Sequence, residues 1–267
     1  MLFRSPRTSA FAAAPEGGTP QWLSRLPPLS PSDISAIDRD FRKRAQAVLA
    51  VDRMIGDLET AVEASGQADN TYFVFSSDNG YHMGEHRLMP GKMTAFDTDI
   101  HVPLIVTGPG VSRGRILDEV VENIDLCPTF AELAGVAVPA SVDGHTLVPL
   151  LREEPIPAWR SLALVEHHGP LKQEAEDPDT PAIRSGNPPT YGAIRSRDWV
   201  YVEYDDGTRE YHDRTSDPAE LQNTFWSLSP VTRRSLSAAL AALRGCQGGQ
   251  ACWESARFPS TSAPSER

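Results

Sequence analysis

A dense group of polar side chains follows the apolar segment TYFVF, which ends at Phe75. Asp78 and Asn79 place a carboxylate next to a carboxamide, and a hard cation such as Ca²⁺ or Mg²⁺ prefers such oxygen ligands. Gly80 then allows the backbone to turn sharply. The next twelve residues contain His82, Glu85, His86, Arg87 and Lys92. A loop this rich in polar groups is typical of a functional site. Asp-Asn-Gly after a strand is also a common turn, so the pair alone indicates either a cation site or a turn.

Two short strands and a long helix are predicted to position these side chains. The apolar run over residues 72–75 indicates a strand buried on both faces, as in a parallel sheet, and residues 101–110 repeat the pattern before a Gly-Pro-Gly turn. Apolar residues at helical spacing predict a helix over residues 37–62, with Gly66 as its stop. Ligands of open α/β sheets gather at the carboxyl ends of strands, which is where Asp78 stands.

The rest of the chain predicts smaller elements. Residues 125–135 indicate a short helix with Asp125 as its N-cap, and residues 162–167 indicate a third strand. Asp206-Gly207 lies between two alternating segments and predicts a hairpin, which a helix over residues 232–244 would cover. The predicted organisation is an extended Pro-, Ser- and Ala-rich segment (1–36), an α/β domain (37–168), a small α+β subdomain (169–252) and a disordered tail (253–267).

Composition argues against several classes of protein. The net charge of −11 disfavours a nucleic-acid binder, because neutralising phosphates requires clustered Lys and Arg. No apolar run is long enough to span a membrane, and the first residues lack the apolar core of a signal peptide. Cys246 and Cys252 flank a Gly-rich stretch. A disulfide between them is sterically plausible and would indicate an oxidising compartment, while two free thiols are an equally open alternative.

Several motifs in order resemble one family. SSDNGYHMGEHRLMPGKMTAFDTDIHVPLIVTGPGV (76–111) resembles the sulfatase family, especially its glucosamine-6-sulfatase-like and arylsulfatase branches. Residues 47–75 resemble the helix that leads into its metal-ligand strand, residues 122–139 its Asp-Leu-x-Pro-Thr helix, and residues 210–225 its C-terminal motif. The resemblance extends over about residues 38–252. It implies the C-terminal part of an alkaline-phosphatase-like α/β core, followed by a small antiparallel sheet packed by a C-terminal helix.

The resemblance also implies roles for individual residues. Asp78 and Asn79 match two ligands of Ca²⁺, and Lys92 matches the lysine that contacts the substrate sulfate. His82 falls where the family's loop borders the substrate pocket, either as a catalytic residue that donates a hydrogen bond or shuttles a proton, or as a supporting histidine. The substrate would be a sulfated sugar or an aryl sulfate ester. Residues with weaker claims are His86, Arg87 and His101, which are more often structural or specificity-related, and Tyr211 and Asp217, which fit packing and turn formation.

Two expected parts of a sulfatase site, which in the family lie well before the region that this chain resembles, are missing. The family attacks sulfur with a formylglycine made from a Cys/Ser-x-Pro-x-Arg motif, and an Asp-Asp pair completes its metal site. Cys127, Cys246 and Cys252 all lack the motif's spacing. The sequence therefore predicts a sulfatase-like fragment that is inactive alone, whose partner is the missing N-terminal half of the fold and whose strands expose apolar faces. The alternatives are a phosphodiesterase or phosphonate hydrolase of the same superfamily, and a non-catalytic binding or scaffold remnant. The family is usually extracytoplasmic.

Overall fold

A computed structural model describes residues 4–156, 158–169 and 184–258. These residues fold into two compact units. Unit 1 holds the described residues 4–15, 21–113 and 184–187, and unit 2 holds residues 16–20, 114–156, 158–169 and 188–258. Across the described chain, no helix has both the length and the apolar character needed to cross a membrane.

Unit 1 is built around one long helix. Its elements are α1 (Gln21–Ser24), α2 (Pro31–Ala64), a 3₁₀ turn (Ala68–Asn70), β1 (Phe73–Ser76), α3 (Asp97–Ile100) and β2 (Leu104–Thr107). The prediction of α2 is confirmed, and Gly66 with its φ of 70° lies just beyond its end. The helix begins six residues before the predicted start, inside the segment predicted to be extended. Ser30 and Asp33 form a capping box, and Pro31 occupies the first helical turn, where its missing N–H costs nothing.

The sheet of unit 1 differs from the expected parallel arrangement. β1 pairs antiparallel with β2, with Phe73 opposite Thr107 and Ser76 opposite Leu104. Phe75 is 40% exposed and Ile105 is 57% exposed. The prediction that these strands expose apolar faces is therefore confirmed, and the prediction that they are buried on both faces is wrong. An apolar run indicates a strand but does not specify the direction of its neighbour, which explains the error.

Unit 2 contains a four-stranded antiparallel sheet in the order β3-β4-β5-β6. Its elements are a 3₁₀ turn (Asn123–Asp125), α4 (Leu126–Leu133), α5 (Val148–Leu151), β3 (Ala163–His167), β4 (Tyr191–Arg195), β5 (Trp199–Tyr204), β6 (Arg209–Asp213), a second 3₁₀ turn (Phe225–Ser227), α6 (Pro230–Gly245) and α7 (Gly249–Ser255). The hairpin between β5 and β6 is confirmed, and Gly207 turns with a φ of 90°.

The core of unit 2 lies between the sheet and α6. Leu236, Leu240 and Leu243, the predicted leucine face, are at most 5% exposed and pack with Ile194 and Tyr201 from the sheet. After α6 a disulfide joins Cys246 to Cys252, which decides between the two alternatives left open by the sequence. Cys127 is a free, exposed thiol.

Three features of the predicted organisation differ in the structure. β3, α4 and α5 belong to unit 2, so the division falls near residue 113 rather than 168, because β3 pairs with β4. Asp125 stands before α4 but does not cap it, since its carboxylate accepts the N–H groups of Glu122 and His145, both at 2.8 Å. The predicted disordered tail is ordered up to residue 258, with Trp253 8% exposed, whereas residues 259–267 lie outside the described chain.

Candidate metal and sulfate site

The two predicted metal ligands directly follow β1. Asp78 is exposed, and its Oδ1 accepts the N–H of Asn79 at 2.9 Å. The Nδ2 of Asn79 donates to the carbonyl of Gly80 at 2.7 Å, which turns its Oδ1 toward Lys92. The distance from Lys92 Nζ to Asn79 Oδ1 is 3.3 Å. Residues 13 positions apart in sequence are therefore in contact.

Gly80 lets this segment lie directly against α3. Its N–H donates to the carbonyl of Asp99 at 2.7 Å, and the N–H of Tyr81 donates to the carbonyl of Thr98 at 2.7 Å. A Cβ at position 80 would lie 2.0 Å from the Thr98 carbonyl oxygen. The glycine is required because another backbone approaches closely, which is a stricter requirement than the sharp turn that the sequence predicts.

Lys92 follows an anchored glycine and precedes a residue with an unusual backbone conformation. Gly91 exchanges backbone hydrogen bonds with His82, at 2.9 and 3.1 Å. A Cβ on Gly91 would lie 2.6 Å from Cβ and 2.8 Å from the carbonyl oxygen of Ser185. Met93 has a φ of 91°, which is rare for a residue with a side chain and indicates a strained backbone beside the lysine.

His82 is 1% exposed, and both of its ring nitrogens contact protein oxygens. Nδ1 lies 2.9 and 3.0 Å from the two carboxylate oxygens of Asp99, and Nε2 lies 2.8 Å from the carbonyl oxygen of Ser185. A carbonyl oxygen can only accept, so Nε2 is the donor in that bond. Of the two roles that the resemblance implies, this geometry favours the supporting histidine over a residue that transfers a proton to substrate.

Asp99 is the site residue that the sequence does not single out. It is 4% exposed, and its Oδ2 accepts both the N–H of Thr94 at 2.9 Å and the hydroxyl of Thr94 at 2.7 Å. Its Oδ1 also lies 3.3 Å from the hydroxyl of Thr98. In the sequence, Asp99 is the last residue of the segment TAFDTD and directly follows two other polar residues. Nothing in that segment indicates that its side chain is buried.

The neighbouring candidates have structural contacts. The ring of His86 stacks on Phe96 with centroids 3.8 Å apart, and Arg87 Nη1 lies 3.5 Å from the Leu26 carbonyl oxygen. The His101 side chain is 74% exposed and lies 3.4 Å from Asp97. In unit 2, two further candidates agree with the predicted packing and turn roles, because Tyr211 is 3% exposed in the core and the carboxylate of Asp217 accepts the N–H of Gln222.

The capacity of these residues for a metal is limited. Asp78 and Asn79 offer side-chain oxygens suited to Ca²⁺, an ion that takes six to eight oxygen ligands. Within the described ranges, no group of three or more His, Cys, Asp or Glu side chains is placed to hold a metal ion. The pair therefore fits part of a calcium shell, and the remaining oxygens would have to come from elsewhere.

Two family models match the chain. The sulfatase model matches residues 6–136, which include all the residues of the site up to Asp99. The model of the C-terminal region of N-sulphoglucosamine sulphohydrolase matches residues 84–242, more than half of the chain.

Relatives and solved structures agree with these models. N-acetylglucosamine-6-sulfatase of Bos taurus is 33% identical over 91% of this chain and 47% of its own length, and that of Homo sapiens is 32% identical over 91% and 48%. The chain thus spans about half the length of these curated relatives. A solved structure of a protein with its substrate D-glucosamine-2-N,6-O-disulfate is 28% identical, with a TM-score of 0.68 over 81% of this chain and 42% of that one. The phosphonate monoester hydrolase of Agrobacterium radiobacter is 29% identical, with a TM-score of 0.62 over 73% and 39%. The chain belongs to the sulfatase family and corresponds to the C-terminal portion of its members.

Proposed function

We propose that this chain supplies the sulfate-contacting lysine and part of the cation site of a sulfuric ester hydrolase. The observation that carries the proposal is the 3.3 Å contact between Lys92 Nζ and Asn79 Oδ1. It places a cationic donor beside an oxygen suited to a metal ion. An anion between Lys92 and a cation bound at that oxygen would meet positive charge on both sides, which is the arrangement that a sulfate group requires.

Each residue has a distinct part in this proposal. The ammonium of Lys92 binds sulfate oxygens and balances the charge that grows on them while the ester bond breaks. Asp78 and Asn79 would hold one side of a Ca²⁺ ion, which when bound would supply Lewis-acid polarisation. Gly80 and Gly91 allow the two segments to approach their neighbours closely, as the 2.0 and 2.6 Å clashes of an added Cβ indicate.

The substrate class that we propose is a sulfated glucosamine. Support comes from the two N-acetylglucosamine-6-sulfatases at 32–33% identity and from the structure that contains a glucosamine disulfate. The second candidate is a phosphonate or phosphate ester, which the 29% identical phosphonate monoester hydrolase favours. Lys92 and the long motif string argue for sulfate.

We further propose that the chain does not hydrolyse sulfate esters alone. The nucleophile motif does not occur in this sequence, and its Asp-Asp pair, Asp205-Asp206, lies in the turn between β5 and β6 rather than before β1. The partner that would supply both parts is the N-terminal half of the sulfatase fold. The disulfide between Cys246 and Cys252 supports an oxidising compartment for the assembled protein.

The test begins with the DNA directly upstream of the Met1 codon. An in-frame Cys/Ser-x-Pro-x-Arg segment would define a longer product, to be assayed on glucosamine 6-sulfate, an aryl sulfate and a phosphonate monoester. We expect turnover of the sulfates by the longer product, none by the 267-residue chain, and loss in Lys92→Ala. Lys43→Ala, which removes an exposed lysine of α2, is the matched control. Preference for the phosphonate would favour the second candidate, and failure of every substrate would favour a binding or scaffold remnant.

Calcium binding by the 267-residue chain is expected to be weak, on the order of millimolar, because two residues cannot complete the shell of the ion. Calorimetric titration measures this directly. Micromolar affinity that disappears in Asp78→Ala would contradict the proposal of an incomplete site.

A further inference from the structure

We propose that Asp99 and His82 are positioning residues that together fix Lys92 opposite Asn79. This inference rests on the proposed role of Lys92 in binding sulfate. It assigns to the buried pair the task of setting the lysine's place, without contact to substrate.

The first step of the argument is that Lys92 is anchored on both sides. Gly91, the preceding residue, is bonded to His82 through two backbone hydrogen bonds. Thr94, two residues after the lysine, is bonded to the Asp99 carboxylate through its N–H and its hydroxyl. Only Lys92 and Met93 stand between the anchors, and the positive φ of Met93 shows that this short arch is held in a conformation that a free chain avoids.

The second step is that the two anchors are joined to each other. Nδ1 of His82 lies 2.9 Å from the nearer carboxylate oxygen of Asp99, and the two side chains are 1% and 2% exposed. Nε2 of His82 is bonded to Ser185, which also packs against Gly91. Buried polar groups of this kind are costly to leave unpaired, so each contact favours one arrangement of the arch.

The third step is that Asp99 also sets the position of the metal-ligand segment. Its main-chain carbonyl accepts the N–H of Gly80, immediately after Asn79. One residue therefore holds Asn79 through its backbone and the arch of Lys92 through its side chain. This double attachment explains how a flexible lysine is kept 3.3 Å from Asn79 Oδ1.

Substitutions at Asp99 separate positioning from simple space filling. In Asp99→Asn, Oδ1 can accept from Thr94 while Nδ2 donates to His82, whose Nε2 still donates to Ser185. In Asp99→Leu the volume is filled but every hydrogen bond of the carboxylate is lost. Asp97→Asn is the matched control, because it makes the same change in α3 at a carboxylate that faces the exposed His101.

The measurement is NMR spectroscopy of the full 267-residue chain with isotope-labelled lysine. The chain has three lysines, 43, 92 and 172, so few signals need to be assigned. In Asp99→Leu we expect the side-chain signal of Lys92 to move toward that of exposed Lys43. We also expect the amide exchange of Gly91 and Thr94 to accelerate about tenfold, which is the size expected for one lost hydrogen bond, while β1 exchanges as before. Asp99→Asn and Asp97→Asn should keep Lys92 near its original signal.

An unchanged Lys92 in a folded Asp99→Leu chain, or an acceleration that is equal in β1, would overturn the proposal. Should Asp99→Leu fail to fold, Thr94→Val replaces it, since this variant keeps the N–H bond to Asp99 and removes only the contacts of the hydroxyl, which are the bond to Asp99 and the 3.4 Å contact from the N–H of Phe96. A Lys92 signal that moves supports positioning, and one that stays in place refutes it. Neither readout needs sulfate or metal, so failure here is distinct from failure of the sulfatase assays.

Discussion

The two units of the chain use different interactions to hold their side chains. In unit 2, a four-stranded sheet and α6 enclose an apolar core in which Ile194, Tyr201 and Leu240 are at most 1% exposed. In unit 1, the 34-residue helix α2 buries only Ile37, and Leu49 is 65% exposed. The site of unit 1 has beside it a small apolar cluster of Leu23, Leu88 and Phe96, and its short segments are joined by hydrogen bonds centred on Asp99.

From this difference we expect local order and global stability to be separable in this chain. Polar contacts can fix the geometry of a site, yet each adds only about 1 kcal/mol to folding, whereas the burial of a large apolar side chain adds about 1.5–3 kcal/mol. Unit 1 exposes apolar residues on α2 and on both strands of its two-stranded sheet. The site is therefore well ordered by hydrogen bonds, while the elements around it bury few apolar side chains. This agrees with a chain that spans about half the length of its relatives.

The largest expected effect is in hydrogen exchange. We expect amides in residues 190–245 to be well protected and those in β1 and β2 to exchange much faster, because two isolated strands are marginally stable in water. Mass spectrometry of the 267-residue chain after timed exchange would measure both regions at once. Strong protection of residues 71–110 together with free exchange in residues 190–245 would show that the comparison is reversed.

Leucine truncation tests the same contrast in free energy. Leu240→Ala should lower the free energy of unfolding of unit 2 by about 2–5 kcal/mol, because it leaves a cavity in the core. Leu49→Ala should change stability by less than about 0.5 kcal/mol, since its side chain is exposed. Urea unfolding monitored by tryptophan fluorescence reports mainly on unit 2, which holds Trp159, Trp199, Trp226 and Trp253. Equal effects of the two substitutions would contradict the difference in packing.

Local patterns predicted much of unit 2. The Asp206-Gly207 turn and the three leucines of α6 are signals contained within a few residues, and the structure confirms both. Strand direction in unit 1 differs from the prediction because an apolar run carries no information about pairing. The start of α2 was missed although Ser30, Pro31 and Asp33 form a recognisable capping signal.

The site was predictable only in part. The motif around Asp78, Asn79 and Lys92 is close in sequence, and the structure brings the last two together. The contacts of Asp99 and Ser185 were not predictable from this one sequence. Ser185 lies 103 positions from His82, and burial of a carboxylate depends on partners that only the folded chain brings together.

A smaller effect is expected from the disulfide of unit 2. Replacing both Cys246 and Cys252 by Ser should lower the stability of unit 2 by about 2 kcal/mol, because the short loop loses a restraint on the unfolded chain. Cys127→Ser is the matched control, as this cysteine is free and exposed. Unit 1 should be unaffected, and exchange in β1 equal to that of the wild type would show this. A double variant as stable as the control would mean that the core alone sets the stability of unit 2.

The smallest effect is the response of unit 2 to acid. Burial, with a further contribution from the charge of Arg160, lowers the pKa of His145 below its usual 6.5, while the charges of Asp125 and Glu132 oppose this. The ring lies against Trp253, with centroids 4.0 Å apart. The unfolded chain therefore binds a proton more readily than the folded one, so this histidine's contribution to stability is complete above pH 6.5 and is lost as the pH falls below it.

His145→Phe keeps an aromatic ring against Trp253 but cannot titrate, and we expect its unfolding free energy to fall less than that of the wild type between about pH 7 and pH 5. His168→Gln, at an exposed position of the same unit, should follow the wild type. Urea unfolding at each pH would give the free energy of unfolding of the three proteins. If the three curves of unfolding free energy against pH are parallel, the burial of His145 does not contribute to the loss of stability of unit 2 in acid.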